Sequence, residues 1–155
     1  MVAISWSMKI YLDTSVISAL FDDRNPERKK LTEEFFQEFR GQEICISRIT
    51  VAEVEKTPDA RLRTQMKETL SGFRTLPPMN DVEALAKEYI KMGAIPKEYE
   101  EDAYHISVAV LNDMDFILSW NFRHIVRNKT RNIVRAVNSM KNLRTIEIMT
   151  PAELL

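Results

Sequence analysis

Asp13, Glu53 and Asp102 are the residues of this 155-residue chain best suited to do chemistry together. Carboxylates brought close without a counter-charge repel one another, which raises their proton affinity and destabilises the fold locally. A magnesium or manganese ion reverses that penalty, because hard divalent cations prefer oxygen ligands and take only a few carboxylates while keeping several waters. The ion can lower the pKa of a bound water and offset the charge that builds on a phosphoryl oxygen during in-line attack, so the three acids suit hydrolysis of phosphodiesters.

Each acid also has an ordinary role open to it. Asp13 can cap the helix that follows it. Glu53 can be a solvated side chain; it projects away from Glu55, so at most one of the two faces the site, and Val51 and Val54 give the other side an apolar claim. Asp102 can be a favourable first-turn acid, although it runs with Ile106 and Ala109 along the margin of an apolar stripe, where an unpartnered charge is costly. His105, one turn on, is read either as a donor that orients Asp102 or as a satisfied core histidine. Asp113 and Asp115 read as turn residues leading into a strand.

The elements that must position these acids follow from apolar periodicity. Lys9 to Leu12 is a short strand-like run that ends at Asp13, after which Val16, Ile17, Ala19 and Leu20 resume at helical spacing. Pro26 opens a helix whose stripe of Leu31, Phe35, Phe36 and Phe39 stops at Gly41. Glu43 to Ser47 reads as a second strand, Ile49 to Lys56 as a short helix, and a further helix is expected over about Asp59 to Ser71. Val82, Leu85, Ala86, Tyr89 and Ile90 mark a helix ending near Gly93. Another opens after Pro96 with Glu98, Glu100, Glu101 and Asp102, its inner face formed by Ala103, Ile106, Ser107, Val110 and Leu111. Asp115 to Ser119 is strand-like, Asn121 begins a helical turn, Ile133, Val134, Val137 and Met140 mark a helix, and Thr145 to Met149 is a last strand. Strands alternating with helices imply an α/β fold with a mostly parallel sheet covered on both faces, and such sheets gather functional groups beyond the carboxyl ends of their strands.

Composition narrows the class. An apolar content of 45 percent supports one core, so a single domain is expected over 8–155, with residues 1–7 as a poorly ordered or non-native extension. The lone Cys45 lies in an apolar run with no disulfide partner or zinc spacing, which suits a reducing compartment. No stretch has the length of a membrane span and the first residues lack a signal-peptide pattern, so a cytoplasmic protein is expected. The net charge of −1 hides a basic segment: Arg123, Arg127, Lys129, Arg131, Arg135, Lys141 and Arg144 follow one another with no acid among them. That segment is either a solvated helix face or a surface for phosphates.

Three stretches together resemble a PIN-domain ribonuclease, in particular the VapC-like toxin branch. They are Lys9-Ile10-Tyr11-Leu12-Asp13-Thr14-Ser15-Val16, Ser47-Arg48-Ile49-Thr50-Val51-Ala52-Glu53-Val54 and Glu101-Asp102-Ala103-Tyr104-His105-Ile106-Ser107-Val108-Ala109. Each is loose; their order, spacing and context are more specific than any one alone. The resemblance implies a PIN-like three-layer α/β/α sandwich and a Mg2+- or Mn2+-dependent endoribonuclease in which Asp13, Glu53 and Asp102 hold the metal. Homodimerisation and inhibition by a small antitoxin protein are implied by it too. A fourth motif departs from the commonest pattern, since Ser119-Trp120-Asn121-Phe122 brings an amide where many relatives place an acid. Asn121 joins the catalytic candidates as a carbonyl donor to a water or the metal, with Ser15 and Ser119 as hydrogen-bonding aids.

Two other readings remain. One is a catalytically degenerate module that binds RNA or a protein partner, for which Asn121 speaks. The other is a metal-dependent phosphatase with a nucleophilic strand-end Asp, against which stands Ser15, in the place where that chemistry usually has a second Asp. No aromatic stacking platform for RNA bases is recognisable.

Overall fold

A computed structural model describes residues 7–155. The expected extension over residues 1–7 falls, but for Ser7, outside the described residues. The chain begins with β1 (Lys9–Leu12), α1 (Thr14–Ala19), α2 (Pro26–Glu38), β2 (Glu43–Ile46), α3 (Arg48–Glu55), α4 (Ala60–Leu70) and β3 (Arg74–Thr75). After α5 (Val82–Lys91) and a 3-10 turn over Lys97–Tyr99 come α6 (Glu100–Leu111), β4 (Phe116–Leu118), α7 (Asn128–Met140), β5 (Glu147–Met149) and α8 (Pro151–Leu154).

The five strands form one sheet in the order β3-β2-β1-β4-β5, and every pairing is parallel. Alternate side chains leave opposite faces of a strand. Tyr11, Cys45, Ile117 and Ile148 therefore pack with Tyr89 of α5, Ile106 of α6 and Val134 of α7. Ile10, Leu12, Ile46 and Leu118 pack on the other side with Val16, Phe35, Val54 and Met66 from α1 to α4. The result is the expected three-layer α/β/α sandwich with a wholly parallel sheet.

Strand order reverses between β1 and β4. The chain leaves β1 toward β2 and β3 at one edge, then crosses back to lay β4 on the other side of β1. Crossovers diverging in this way open a crevice at the carboxyl ends of the two central strands. Asp13 and Ser119, the residues that follow β1 and β4, sit at that crevice, and the Asp13 N–H donates to the Leu118 carbonyl at 3.2 Å to close the strand pair.

Local signals account for most boundaries. Asn25 caps α2 through its side chain and Pro26 takes the first helical position; Asp59 caps α4 by accepting from Arg61 and Leu62. Gly93 adopts φ +90, the left-handed backbone that ends a helix at little cost to glycine. Gly41 has no such role, because α2 ends at Glu38 and Gly41 lies beyond it without a left-handed backbone. Two elements were not anticipated: the two-residue edge strand β3, and α8, which is set by a capping box between Thr150 and Glu153.

α5 and α7 are joined by a buried polar contact. The Tyr89 hydroxyl donates to Asn138 Oδ1 at 2.5 Å, and Asn138 Nδ2 reaches the Arg144 carbonyl at 3.3 Å. Both residues are essentially without solvent contact. Asn138→Ala strands that hydroxyl and is expected to cost about 2 kcal/mol, part of which a second substitution, Tyr89→Phe, restores by removing the orphan donor. Urea unfolding of the single and double variants checks the order.

Candidate active site

Asp13 occupies the position between β1 and α1, and its carboxylate has two tasks. Oδ1 accepts from the Ser15 N–H at 3.1 Å, capping α1, and from the Ser15 hydroxyl at 2.5 Å; Oδ2 accepts from the Ser119 hydroxyl at 2.5 Å. Asp13 is 4% exposed. Burial raises its pKa, a rise that His105 and the two serine hydroxyls oppose without cancelling and that Glu53 reinforces.

Glu53 projects from α3, while Glu55 turns away to pair with Lys67. Its Oε1 accepts from Thr14 Oγ1 at 3.0 Å and from His105 Nε2 at 2.6 Å. Burial works against its ionised form, but the His105 bond and charge outweigh burial and hold its carboxyl below the usual range. Asp102, in the first turn of α6, accepts from Asn121 Nδ2 at 3.3 Å through Oδ2. Its pKa is pushed up to about 6, first by burial and then by the charges of Asp13 and Glu53, which His105 and the Asn121 bond only partly counter. The three acids therefore feel one another across the rim.

A chain of hydrogen bonds links them. Ser119 Oγ, bonded to Asp13, also accepts the Asn121 N–H at 2.9 Å, and Asn121 holds Asp102; Thr14, next to Asp13, holds Glu53. Ser15 Oγ accepts the Trp120 N–H at 2.8 Å, which fixes the turn after β4 against α1. Ser15 and Ser119 thus aid Asp13 directly, as their positions suggested.

His105 and Asn121 differ from what the sequence suggested. His105 does not donate to Asp102. It is 2% exposed, contacts Glu53 through Nε2, and meets the Tyr11 hydroxyl at 2.5 Å through Nδ1; that hydroxyl lies 2.7 Å from Ser47 Oγ. Burial alone would lower its basicity, but Tyr11, Glu53 and Asp13 together raise it well above the usual histidine range. Asn121 keeps its carbonyl oxygen for its own turn: Oδ1 accepts the backbone N–H groups of Arg123 at 3.1 Å and His124 at 2.9 Å, an arrangement that also fixes which end of the amide faces Asp102. With both lone pairs engaged, that oxygen is not free for a metal.

The rim opens on a cleft of about 530 Å3 lined by Glu53, Tyr99, Asp102, Asn121, Arg123 and His124 among others. Asp13 lies outside that lining. His124 was not a candidate from sequence; its ring stacks on Tyr99 with centroids 4.0 Å apart, and both ring nitrogens are buried without a partner among the described residues. Its pKa is lowered by burial, then by Arg127 and Arg123. The only pointer to it in the sequence was its place three residues after Asn121.

Among the described residues, no group of three or more His, Cys, Asp or Glu side chains is placed so that it could hold a metal ion. The donor chemistry nonetheless fits a hard cation. Glu53 Oε2 and Asp102 Oδ1 have no hydrogen-bond partner among the described residues, so each acid is anchored by one oxygen and keeps the other free. An Asp whose folded pKa exceeds its unfolded value stabilises the fold below the unfolded value and loses that contribution as pH rises through the folded one. In EDTA, Asp102→Asn is therefore expected to raise stability at pH 7.5 by on the order of 1 kcal/mol, discounted for partial exposure, with the difference vanishing by about pH 4. Thermal melts across that range check the sign.

The PIN domain family profile matches residues 10–128, from within β1 to the first residue of α7, and takes in Asp13, Glu53, Asp102 and Asn121. No curated protein sequence matches the chain. Among the described residues no helix is long and apolar enough to cross a membrane. A match over most of the chain, on a parallel-sheet sandwich with its acids at the central strand ends, makes this protein a member of the PIN-domain family, whose domains are of nuclease type.

Proposed function

We propose that the chain is a metal-dependent endoribonuclease that hydrolyses RNA phosphodiester bonds at the rim of Asp13, Glu53 and Asp102. The observation that carries this reading is the hydrogen-bonded chain that draws three distant acids together although they repel one another. A fold that needed these acids only as caps and surface charges would gain nothing from such repulsion.

In this reading Asp13, Glu53 and Asp102 hold one Mg2+ or Mn2+ through carboxylate oxygens. Such an ion, when bound, supplies an activated water and a Lewis acid for the charge that develops on the phosphoryl group. Ser15 and Ser119 fix the Asp13 carboxylate, and His105 with Thr14 fixes Glu53 so that Oε2 points free of protein partners. Asn121 is a positioning residue, since its amide orients Asp102 and its carbonyl shapes the turn. His105, held by Tyr11 at one ring nitrogen and meeting Glu53 with the other, sets the direction of the Glu53 carboxylate.

The likeness of the acidic motifs to the VapC-like branch supports a narrower reading: the toxin of a toxin–antitoxin pair, cytoplasmic, homodimeric and held in check by a small antitoxin protein. Induced expression should then arrest growth, and Asp13→Asn should relieve the arrest. Unaffected growth removes the toxin role and leaves the nuclease standing.

Cleavage of an unstructured, fluorophore-quencher RNA tests the central claim. Asp13→Asn is expected to lower kcat/KM by at least about 100-fold, and EDTA to abolish cleavage until Mg2+ or Mn2+ is restored. Equal behaviour of wild type and variant, with RNA still bound, would instead favour the degenerate binding module.

A further inference from the structure

The seven basic residues after Asn121 do not form one phosphate-binding face. Arg127 donates to Thr130 and the Ala94 carbonyl, Arg131 to the Ile148 carbonyl and Glu153, and Arg144 to the Asp113 carbonyl and Asp115. Those guanidinium groups hold the fold together. Arg123, in the turn after β4, is not engaged in this way among the described residues, and that turn carries an exposed aromatic ring.

Phe122 is 53% exposed. A lone exposed apolar side chain is ordinary, but this one differs in its surroundings. It directly follows Asn121, whose amide is on Asp102, so its backbone lies within one residue of the acidic rim. The turn that carries it is fixed by Asn121 Oδ1, which accepts from Arg123 and His124, and by the Asn121 carbonyl, which accepts from Ile125 and Val126. The ring is therefore presented with little conformational freedom to lose.

Beside it lies Trp120, 6.2 Å away between centroids, buried and locked by its indole N–H on Thr32 Oγ1 at 2.9 Å. The Arg28 guanidinium sits 5.2 Å from the Trp120 ring and 5.7 Å from the Phe122 ring. Among the described residues it makes no ion pair and no side-chain hydrogen bond, so its N–H edges remain available. Arg123, exposed and lining the cleft, is likewise without an ion pair among the described residues. An exposed ring on a fixed turn, with the Arg28 guanidinium beside it and Arg123 next in the chain, matches what unpaired nucleotides require: a π-face for the base and guanidinium groups for the phosphates.

We propose that Phe122, with Trp120 and Arg28 beside its ring and Arg123 in the adjoining cleft, is a stacking platform for an unpaired base of single-stranded RNA beside the acidic rim. The proposal rests on the ribonuclease reading and deepens it by naming the side chain that would hold a base next to the rim. A base within a duplex is already stacked on its neighbours, so the platform selects against double-stranded RNA.

The test compares wild type, Phe122→Leu and Phe122→Trp on an unstructured oligoribonucleotide and on a duplex of the same sequence, after thermal melts establish equal folding. Phe122→Leu is expected to raise KM for the single strand about 10-fold with kcat within about twofold, while Phe122→Trp keeps the wild-type KM. Arg28→Gln should reduce the slope of log affinity against log salt by about one. If wild type does not cleave, the ribonuclease reading fails on its own account, and the same comparison is read as fluorescence anisotropy of the bound single strand. An unchanged KM or Kd in Phe122→Leu overturns the platform and leaves the ring free for a protein contact. An equal loss on duplex and single strand also overturns it.

Discussion

Asp13, Glu53 and Asp102 carry like charges into a partly buried rim, and the groups around them are arranged to contain that repulsion. Asp13, almost without solvent, is met by two hydroxyls and a backbone N–H in place of a cation. Glu53 is met by the buried His105 ring, which Tyr11 and Ser47 hold from the other side. Tyr11 is thus more than a core residue. Its ring fills one side of the sheet while its hydroxyl carries the second ring nitrogen of His105, an arrangement phenylalanine could not supply.

The site lies where the topology allows it. Were β4 to follow β3 at the same edge, Ser119 would end far from Asp13. Because the chain crosses back to lay β4 beside β1, Leu12 aligns with Leu118 and the next residues of both strands meet. α6 then descends over the same end of the sheet with Asp102 in its first turn, where the helix dipole eases the presence of an acid. Three segments far apart in the chain converge on regular elements: Asp13 at the end of β1, Glu53 in the later half of α3 and Asp102 in the first turn of α6.

How much of this was legible in the amino-acid order depends on the range of the interaction concerned. The strands around Ile10, Ile44 and Ile117, and the helices marked by Phe35, Tyr89 and Ile106, announce themselves because burial imposes a period on neighbouring residues. β3 escapes notice because two exposed residues carry no period, and α8 because four residues are too few for one. The acids themselves were visible as types at strand ends, although periodicity alone could not separate Glu53 from a solvated glutamate. Their partners were not visible. One turn along α6 connects His105 with Asp102 on paper, but the ring turns into the sheet toward Tyr11 and Glu53, a choice set by packing between elements. Asn121 misled for a related reason: its carbonyl was considered as a donor to metal, whereas a local Asx turn claims that oxygen first. The run of basic residues was read as one surface, yet Arg127, Arg131 and Arg144 reach carbonyls and acids contributed by other parts of the chain.

The capping role of Asp13, one of two readings open in the sequence, is seen in the structure and does not exclude the other. A carboxylate has lone pairs for both tasks, and here one oxygen caps α1 while both are held by serine hydroxyls. The cap orients the acid toward the rim, so the local requirement of the helix and the long-range requirement of the site reinforce each other. Asp102 combines the roles differently: the first helical turn tolerates its charge, and Asn121 fixes its direction. The same economy does not extend to the arginines. A guanidinium spent on a backbone carbonyl at 2.9 Å has fewer N–H groups left for direct contact with phosphate, and where Arg131 and Arg144 pair with Glu153 and Asp115 their charge is offset as well. The net charge is −1 and the rim is acidic, so the cations nearest the turn after β4 matter most to any anionic ligand: Arg28 stands beside the exposed ring, and Arg123 lines the cleft.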